Sequence, residues 1–329
     1  MKGAHQVVIE NKRLRYDFTI HRNITVIRGN SATGKTTLIG MLSLYQQDGE
    51  ASGVRLSCDK ACVVINSVRW QENLAVIRDS IVFIDEDDHF VKSQEFAEAI
   101  QASDNYYVII TRDRLPSLPY SVTEIYGIRV SGKYAGLKQV YNEFYRIYGN
   151  TADAEKADIC VTEDSNSGYQ FLKYALAEHS SEMTCVSASG KSNIPAKILA
   201  LKDRHPLVFA DGAAFGPEME RVDRLREQGF HLLLFLPESF EWLILKSALI
   251  NEGEVSRILE QPEDFIESRE YFSWERFFTD LLRRKTNRTY LHYDKAEINP
   301  AYLQDSVSSQ IVAEFPEKVK KLLGIYEKK

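Results

Sequence analysis

Residues 29–36 read Gly-Asn-Ser-Ala-Thr-Gly-Lys-Thr and match the whole pattern G-x-x-x-x-G-K-[ST]. The residue types explain the chemistry that this pattern supports. Gly29 and Gly34 allow the backbone to curl so that its N–H groups point inward at phosphate oxygens. Lys35 is placed to reach the β- and γ-phosphates of a nucleotide, and Thr36 offers a hydroxyl to Mg²⁺. We therefore expect a phosphate-binding loop in this stretch.

The sequence on either side of the loop has the expected composition. Residues 23–28 predict a buried strand, and residues 36–44 predict a helix whose positive N-terminal dipole lies where a triphosphate would bind. A chance match to the four specified positions would occur in about one chain in a hundred of this length. We therefore predict ATP and Mg²⁺ as ligands. The predicted nucleotide-binding residues are Gly29, Asn30, Ser31, Ala32, Thr33, Gly34, Lys35, Thr36 and Thr37.

A second motif follows at residues 79–86, where an apolar run ends in two acids. Buried parallel strands are apolar on both faces, and ligands bind at their carboxyl ends. Asp85 would hold the ATP-bound Mg²⁺ together with Thr36, and Glu86 would orient or deprotonate the attacking water. The alternative is an acidic helix cap, because the acidic run continues to residue 88. The predicted catalytic residues are Lys35 and Glu86.

The bulk composition excludes several classes of protein. The chain has 329 residues, of which 44% are hydrophobic and 27% charged, which is typical of a folded protein and suggests two domains. A formal net charge of −6 disfavours a globally basic nucleic-acid binder, and no apolar run is long enough to cross a bilayer. The first residues contain no apolar signal core, and the cysteines are few and scattered, so we expect a cytoplasmic protein.

The first part of the chain resembles a known class of ATPase. Residues 5–20 predict a hairpin before the loop strand, residues 61–66 and 105–111 predict core strands, and residues 124–130 predict a strand at the sheet edge. With the motifs at Gly29 to Thr36 and at Asp85-Glu86, this order over residues 1–135 resembles the ATPase heads of the ABC and structural-maintenance class. The resemblance implies ATP hydrolysis and a homodimer or higher oligomer.

Two departures from that class are visible in the sequence. No LSGGQ-like signature precedes the Asp85 strand, and the helical arm that would carry it is missing. The switch position, usually His, reads Thr111-Arg-Asp113. Arg112 is therefore a candidate for contact with the γ-phosphate, with a structural or solvated role as the alternative.

A polar stretch near residue 150 predicts a domain boundary. Beyond it, predicted strands alternate with predicted helices, which indicates a second α/β domain with a parallel sheet. The strands are predicted at residues 157–162, 183–187, 206–211 and 230–236, and the helices at 168–178, 194–202 and 217–228. We divide the chain into an ATPase domain at residues 1–150, a second domain at 157–250 and a mainly helical region at 251–329.

Residues 157–250 resemble a Toprim domain, in which a Glu ends the first strand and Asp-x-Asp ends the third. Glu163 matches the Glu and Asp211 the first Asp, but Ala213 replaces the second Asp. The resemblance implies a second Mg²⁺ site at Glu163 and Asp211. Glu218 and Glu238 are the acids of this chain that could take the place of the second Asp. Because affinity for a hard cation depends on the number of charged oxygens, we expect weak metal binding and a degenerate domain.

An ATPase joined to a Toprim-like domain resembles the overcoming-lysogenisation-defect nucleases, which act on DNA in phage conflict. The resemblance implies a role in antiviral defence or mobile-element biology, with DNA or a protein as partner. We expect a Mg²⁺-dependent ATPase that regulates a degenerate Toprim-like domain. The alternatives are an active ATP-gated DNA nuclease, a P-loop phosphotransferase and a non-catalytic ATP switch.

Overall fold

The computed structural model describes residues 1–29, 33–86, 88–132, 138–148, 156–179 and 183–324. The chain folds as two compact units, one of Met1–Gly149 with Gln261–Ser273, the other of Asn150–Glu260 with Trp274–Lys329. The sequence-based division differs from this after residue 250, because Gln261–Ser273 packs with the first unit. Its carbonyl groups accept hydrogen bonds from Gly3 N and Asn23 Nδ2, at 2.8 and 3.0 Å.

The first unit contains a mixed sheet and three α-helices among its described residues. The strands are β1 His5–Glu10, β2 Leu14–Ile20, β3 Ile24–Ile27, β4 Arg55–Ser57, β5 Ala61–Ile65, β6 Ser80–Ile84, β7 Tyr106–Ile110, β8 Ile125–Val130 and β9 Val140–Arg146. The helices are α1 Lys35–Asp48, α2 Trp70–Val76 and α3 Gln94–Gln101. Across the described ranges the strand order is β4-β1-β2-β9-β8-β3-β7-β6-β5.

The strands that carry the two motifs lie close together in this sheet. β7 pairs in parallel with both β3 and β6. All three strands are buried along their whole length, which explains their continuous apolar sequences. Parallel strands end at the same edge of a sheet. This carboxyl edge therefore carries the loop after β3, the acids after β6 and Thr111-Arg112 after β7.

The prediction that residues 124–130 form an edge strand is wrong. β8 lies inside the sheet, between β3 and β9, and pairs antiparallel with β9. The sequence of β9, Val-Tyr-Asn-Glu-Phe-Tyr-Arg, lacks a clean apolar alternation and only one of its residues is buried. Phe144 of β9 stacks on Phe18 of β2, with ring centroids 4.0 Å apart. β9 thereby joins the N-terminal hairpin to the parallel strands.

Between α1 and β6, where every residue is described, the only α-helix is α2, which has seven residues. The structure therefore agrees with the prediction that a long helical arm is missing. In the described residues no helix has the length and apolar character that crossing a membrane requires.

The second unit has a sheet of four parallel strands within its described residues, in the order β11-β10-β12-β13. The alternation of strands and helices predicted from the sequence is confirmed. The strands are β10 Ile159–Thr162, β11 Thr184–Ser187, β12 Pro206–Phe209 and β13 Leu233–Phe235. The helices are α4 Ser167–His179, α5 Ile194–Ala200, α6 Gly216–Glu227, α7 Phe240–Lys246, α8 Gly253–Glu260, α9 Trp274–Thr286, α10 Asp305–Ala313 and α11 Glu317–Leu322.

Candidate functional site

The loop after β3 is built around Lys35. Gly29 and Gly34 have φ angles of +133° and +93°, in the region that favours glycine. The Lys35 side chain is buried, and its Nζ donates to Gly29 O at 2.8 Å and to Thr33 Oγ1 at 3.2 Å. Burial lowers the pKa of the Lys35 ammonium. The ammonium therefore donates its hydrogen bonds to oxygens of its own loop. Phosphate oxygens could accept the same hydrogen bonds. The predicted ligands Asn30, Ser31 and Ala32 lie outside the described residues.

The N-terminus of α1 lacks a compensating charge of its own. Gly34 is its N-cap, no described side chain caps it, and its first turn contains no acid. The side chains of Thr36 and Thr37 are exposed there. Because a helix N-terminus carries partial positive charge and unpaired N–H groups, an anion would satisfy both at this position. The geometry therefore fits a phosphate group.

Asp85 and Glu86 follow β6 and are half-buried. Glu86 N donates to Asp85 Oδ1 at 2.8 Å. Both carboxylates are close enough to Lys35 to raise its pKa, against the larger effect of burial. The acidic run does end at a helix start, because Asp88 is the N-cap residue of the short 3-10 helix His89–Lys92, although no described side chain hydrogen-bonds to the N-terminus of that helix. The next helix, α3, is capped by Ser93, whose Oγ accepts from Phe96 N at 3.1 Å. The structure brings the two predicted acids to the predicted lysine.

Arg112 joins this group from the end of β7. Its Nε lies 3.2 Å from Glu86 Oε2, and its side chain is 56% exposed. Its charge lowers the pKa of Lys35, so it is also within electrostatic range of the loop. Arg112 thus holds the carboxylate to which the sequence assigns the role of base.

Tyr16 of β2 supports the loop through a hydrogen bond that the sequence did not predict. Its hydroxyl donates to Gly34 O at 2.9 Å, and the residue is 1% exposed. A Cβ on Gly34 would lie 2.8 Å from that hydroxyl, so the contact also requires glycine there. The alternation in β2 predicts a buried Tyr16, but no local signal predicts which carbonyl the hydroxyl reaches.

Replacing Tyr16 with Phe should lower the free energy of unfolding by about 1 kcal/mol, because Gly34 O loses a hydrogen bond in a buried position. Urea unfolding of the full chain measures this. Tyr145→Phe is the matched control, because Tyr145 lies on β9 and is 37% exposed. Equal unfolding free energies for Tyr16→Phe and wild type would show that the hydroxyl does not support the loop.

The second unit gathers carboxylates at the carboxyl edge of its sheet. Glu163 follows β10 and Asp211 follows β12, and these two strands are parallel neighbours. Burial, followed by the charge of Glu275, raises the pKa of Glu163 to about 7. Burial, followed by the charges of Glu275 and Glu241, raises the pKa of Asp211 well above its ordinary value. Glu241 lies in the first turn of α7 and Glu275 in the first turn of α9, so helix N-termini supply half of the cluster.

A lysine that the sequence did not indicate lies among these acids. Lys295 Nζ is 3.2 Å from Glu275 Oε1 and 3.9 Å from both Asp211 Oδ2 and Glu241 Oε1. Tyr293 donates its hydroxyl to Glu241 Oε1 at 2.8 Å, whereas the buried Glu241 Oε2 has no hydrogen-bond partner among the described residues. Residues 251–329 read as packing helices, so neither Lys295 nor Glu275 stood out.

The candidate substitutes for the second Toprim Asp, Glu218 and Glu238, do not line the cavity that Glu163, Asp211 and Glu241 share. Ala213 is buried and supplies no carboxylate. Glu218, on α6, pairs with Arg221 at 3.3 Å, and Glu238 accepts a hydrogen bond from Ala213 N through its main-chain carbonyl. Among the described residues, no group of three or more His, Cys, Asp or Glu side chains has the geometry to hold a metal ion.

Comparison of the chain with known protein families, with curated protein sequences and with solved structures found no match. The two sites are therefore interpreted from their own geometry.

Proposed function

We propose that the first unit binds ATP with Mg²⁺ at residues 29–37 and hydrolyses the nucleotide. The observation that carries this proposal is the convergence of Lys35, Asp85, Glu86 and Arg112 at the edge where three parallel strands end. Phosphoryl transfer needs cations around the phosphates and a group that positions the attacking water. This edge offers both kinds of group.

Each residue has a defined role in this proposal. Lys35 exchanges Gly29 O and Thr33 Oγ1 for oxygens of the β- and γ-phosphates, and α1 directs its N-terminus at them. Thr36 and Asp85 would hold Mg²⁺, which supplies charge neutralisation at the phosphates. Glu86 accepts a proton from the attacking water or orients it. A purely non-catalytic switch has no need of a carboxylate at that place.

The proposal includes control of the second unit by the nucleotide. Asn23 directly precedes β3, the strand that leads into the loop, and its Nδ2 donates to Phe272 O at 3.0 Å. After Phe272 and Ser273 the chain enters α9, which carries Glu275. A change at the start of β3 therefore has a short route to the acidic cluster, through one hydrogen bond and a few residues of the chain.

The proposed activity is tested by phosphate release from ATP by the full chain, in Mg²⁺ and with or without added DNA. We expect turnover that requires Mg²⁺. Transfer of phosphate to a nucleoside or nucleotide in place of water would replace the ATPase with a phosphotransferase. Absence of both reactions in a chain that still binds ATP would leave the non-catalytic switch.

Arg112→Ala should weaken binding of ATP by about tenfold or more while changing ADP binding little, because a charge-assisted hydrogen bond to the γ-phosphate is lost. Competition of the two nucleotides against a fluorescent analogue measures the difference. Arg129→Ala is the matched control, because Arg129 makes a similar surface pair with Glu143 at 2.9 Å. An equal loss for ATP and ADP would show that Arg112 does not read the γ-phosphate.

A further inference from the structure

The acidic cluster of the second unit is the part of the molecule that the proposed ATPase does not use. We infer that Lys295 is the resident cation of this cluster, that its ammonium replaces a divalent ion, and that its removal exposes a latent site for Mg²⁺ or Mn²⁺. The Toprim resemblance implies a metal at Glu163 and Asp211, and the residues present do not fit that metal while Lys295 is in place.

The distances around Lys295 are those of an ammonium among carboxylates. Its Nζ lies 3.2 to 3.9 Å from oxygens of Asp211, Glu241 and Glu275. Mg²⁺ requires oxygen ligands at about 2.0–2.1 Å in near-octahedral geometry. One centre cannot hold both cations, because the ammonium would lie against the metal at like charge. The lysine therefore excludes the ion for as long as it keeps these contacts.

One carboxylate oxygen of the cluster, Glu241 Oε2, is available to bind a cation. Glu241 is 1% exposed, and its Oε2 has no hydrogen-bond partner among the described residues. Glu241 lines the same cavity as Glu163, Asp211 and Lys295. A buried carboxylate oxygen without a partner is costly, so it favours any cation that enters the cavity. Removing the ammonium, which lies 3.9 Å from the other oxygen of this carboxylate, would let the described acids, which have no metal-binding geometry as they stand, close on an ion.

The balance of carboxylates and lysines in the cluster also supports a latent cation site. Four carboxylates meet at this edge, and Lys191 is the other described lysine that acts on Glu163. The Nζ of Lys191 donates to the carbonyl of Ala214 at 3.0 Å. Loss of Lys295 leaves the acids without their shared counter-charge, and affinity for a hard cation rises with the number of charged oxygens.

The test is Mn²⁺ binding by the full chain without nucleotide, measured by calorimetry and by the melting temperature. We expect Lys295→Met to bind one Mn²⁺ and to melt several degrees higher in millimolar Mn²⁺, because a ligand that binds only the folded state stabilises it. Lys285→Met is the matched control. Lys285 bridges Glu252 and Glu254 at 2.5 and 2.6 Å, but these carboxylates are 48% and 55% exposed, so no new site should form.

Two further variants locate the ion. Glu241→Gln in the Lys295→Met background should abolish the new binding, whereas Asp85→Asn in that background should leave it intact. If Lys295→Met does not fold, the test compares the wild-type chain with the single variant Glu241→Gln. The two should bind Mn²⁺ equally, because Lys295 excludes the ion from the cluster in both. Submillimolar Mn²⁺ binding by the wild type that Glu241→Gln abolishes would overturn the inference, as would a folded Lys295→Met chain that binds no Mn²⁺.

Discussion

Lys35→Ala is expected to weaken ATP binding by at least about thirtyfold. Truncating one partner of a buried, hydrogen-bonded charge pair costs about 2–5 kcal/mol, and about 1.4 kcal/mol corresponds to a factor of ten. The ammonium of Lys35 is buried beside the loop, and the other cations proposed at the γ-phosphate are Mg²⁺ and the more exposed Arg112. Its loss leaves the phosphates in a site that retains the charges of Asp85 and Glu86.

Equilibrium dialysis with radiolabelled ATP and Mg²⁺ measures this affinity. Lys60→Ala is the matched control, because Lys60 is another lysine of the first unit and pairs with Asp79 at 2.6 Å. Unchanged affinity in Lys35→Ala would mean that the nucleotide does not bind at this loop.

Glu86→Gln is expected to retain ATP and to slow hydrolysis by about a hundredfold or more, the contribution of a positioned acid–base group. Gln keeps the size of the side chain and a hydrogen-bond acceptor, but it cannot take a proton from water. The variant also loses its charge pair with Arg112, so nucleotide affinity should not fall. If ATP joins two copies of the chain, slow hydrolysis should trap that assembly.

Single-turnover hydrolysis reports the chemical step, and light scattering with ATP reports the assembly. Glu143→Gln is the matched control, because it breaks a Glu–Arg pair of similar length, 2.9 Å, on β8 and β9. A rate for Glu86→Gln near that of wild type would place the base elsewhere. A monomer whose specific activity is independent of concentration would argue against the oligomer that the resemblance to ABC-class heads implies.

Much of the fold follows from local sequence patterns. The buried strands β3, β6 and β7 are continuous apolar runs, and the loop between β3 and α1 has an explicit motif. β9 was missed because its pairing partners, rather than its own alternation, make it a strand. The return of Gln261–Ser273 to the first unit was also missed, since it depends on hydrogen bonds that its main-chain carbonyls accept from residues remote in sequence.

The two sites differ in how many of their residues could be predicted from the sequence. Lys35, Asp85 and Glu86 could be predicted together because parallel strands end at a common edge. Lys295 and Glu275 could not, because Lys295 lies after α9 and Glu275 lies in its first turn, and only tertiary packing brings them to the end of β12. An ion pair between a lysine and acids far apart in sequence leaves no periodic signal. Lys295, the cation of the second site, therefore could not be predicted from the sequence.

A calorimetric titration of the wild-type chain with ATP and Mg²⁺ tests the nucleotide site most directly. We predict saturable binding of one ATP per chain, which is strongly weakened in Lys35→Ala and kept in Glu86→Gln. No heat of binding at millimolar ATP from a folded chain, or identical titrations of wild type and Lys35→Ala, would contradict the assignment of a nucleotide site to the first unit.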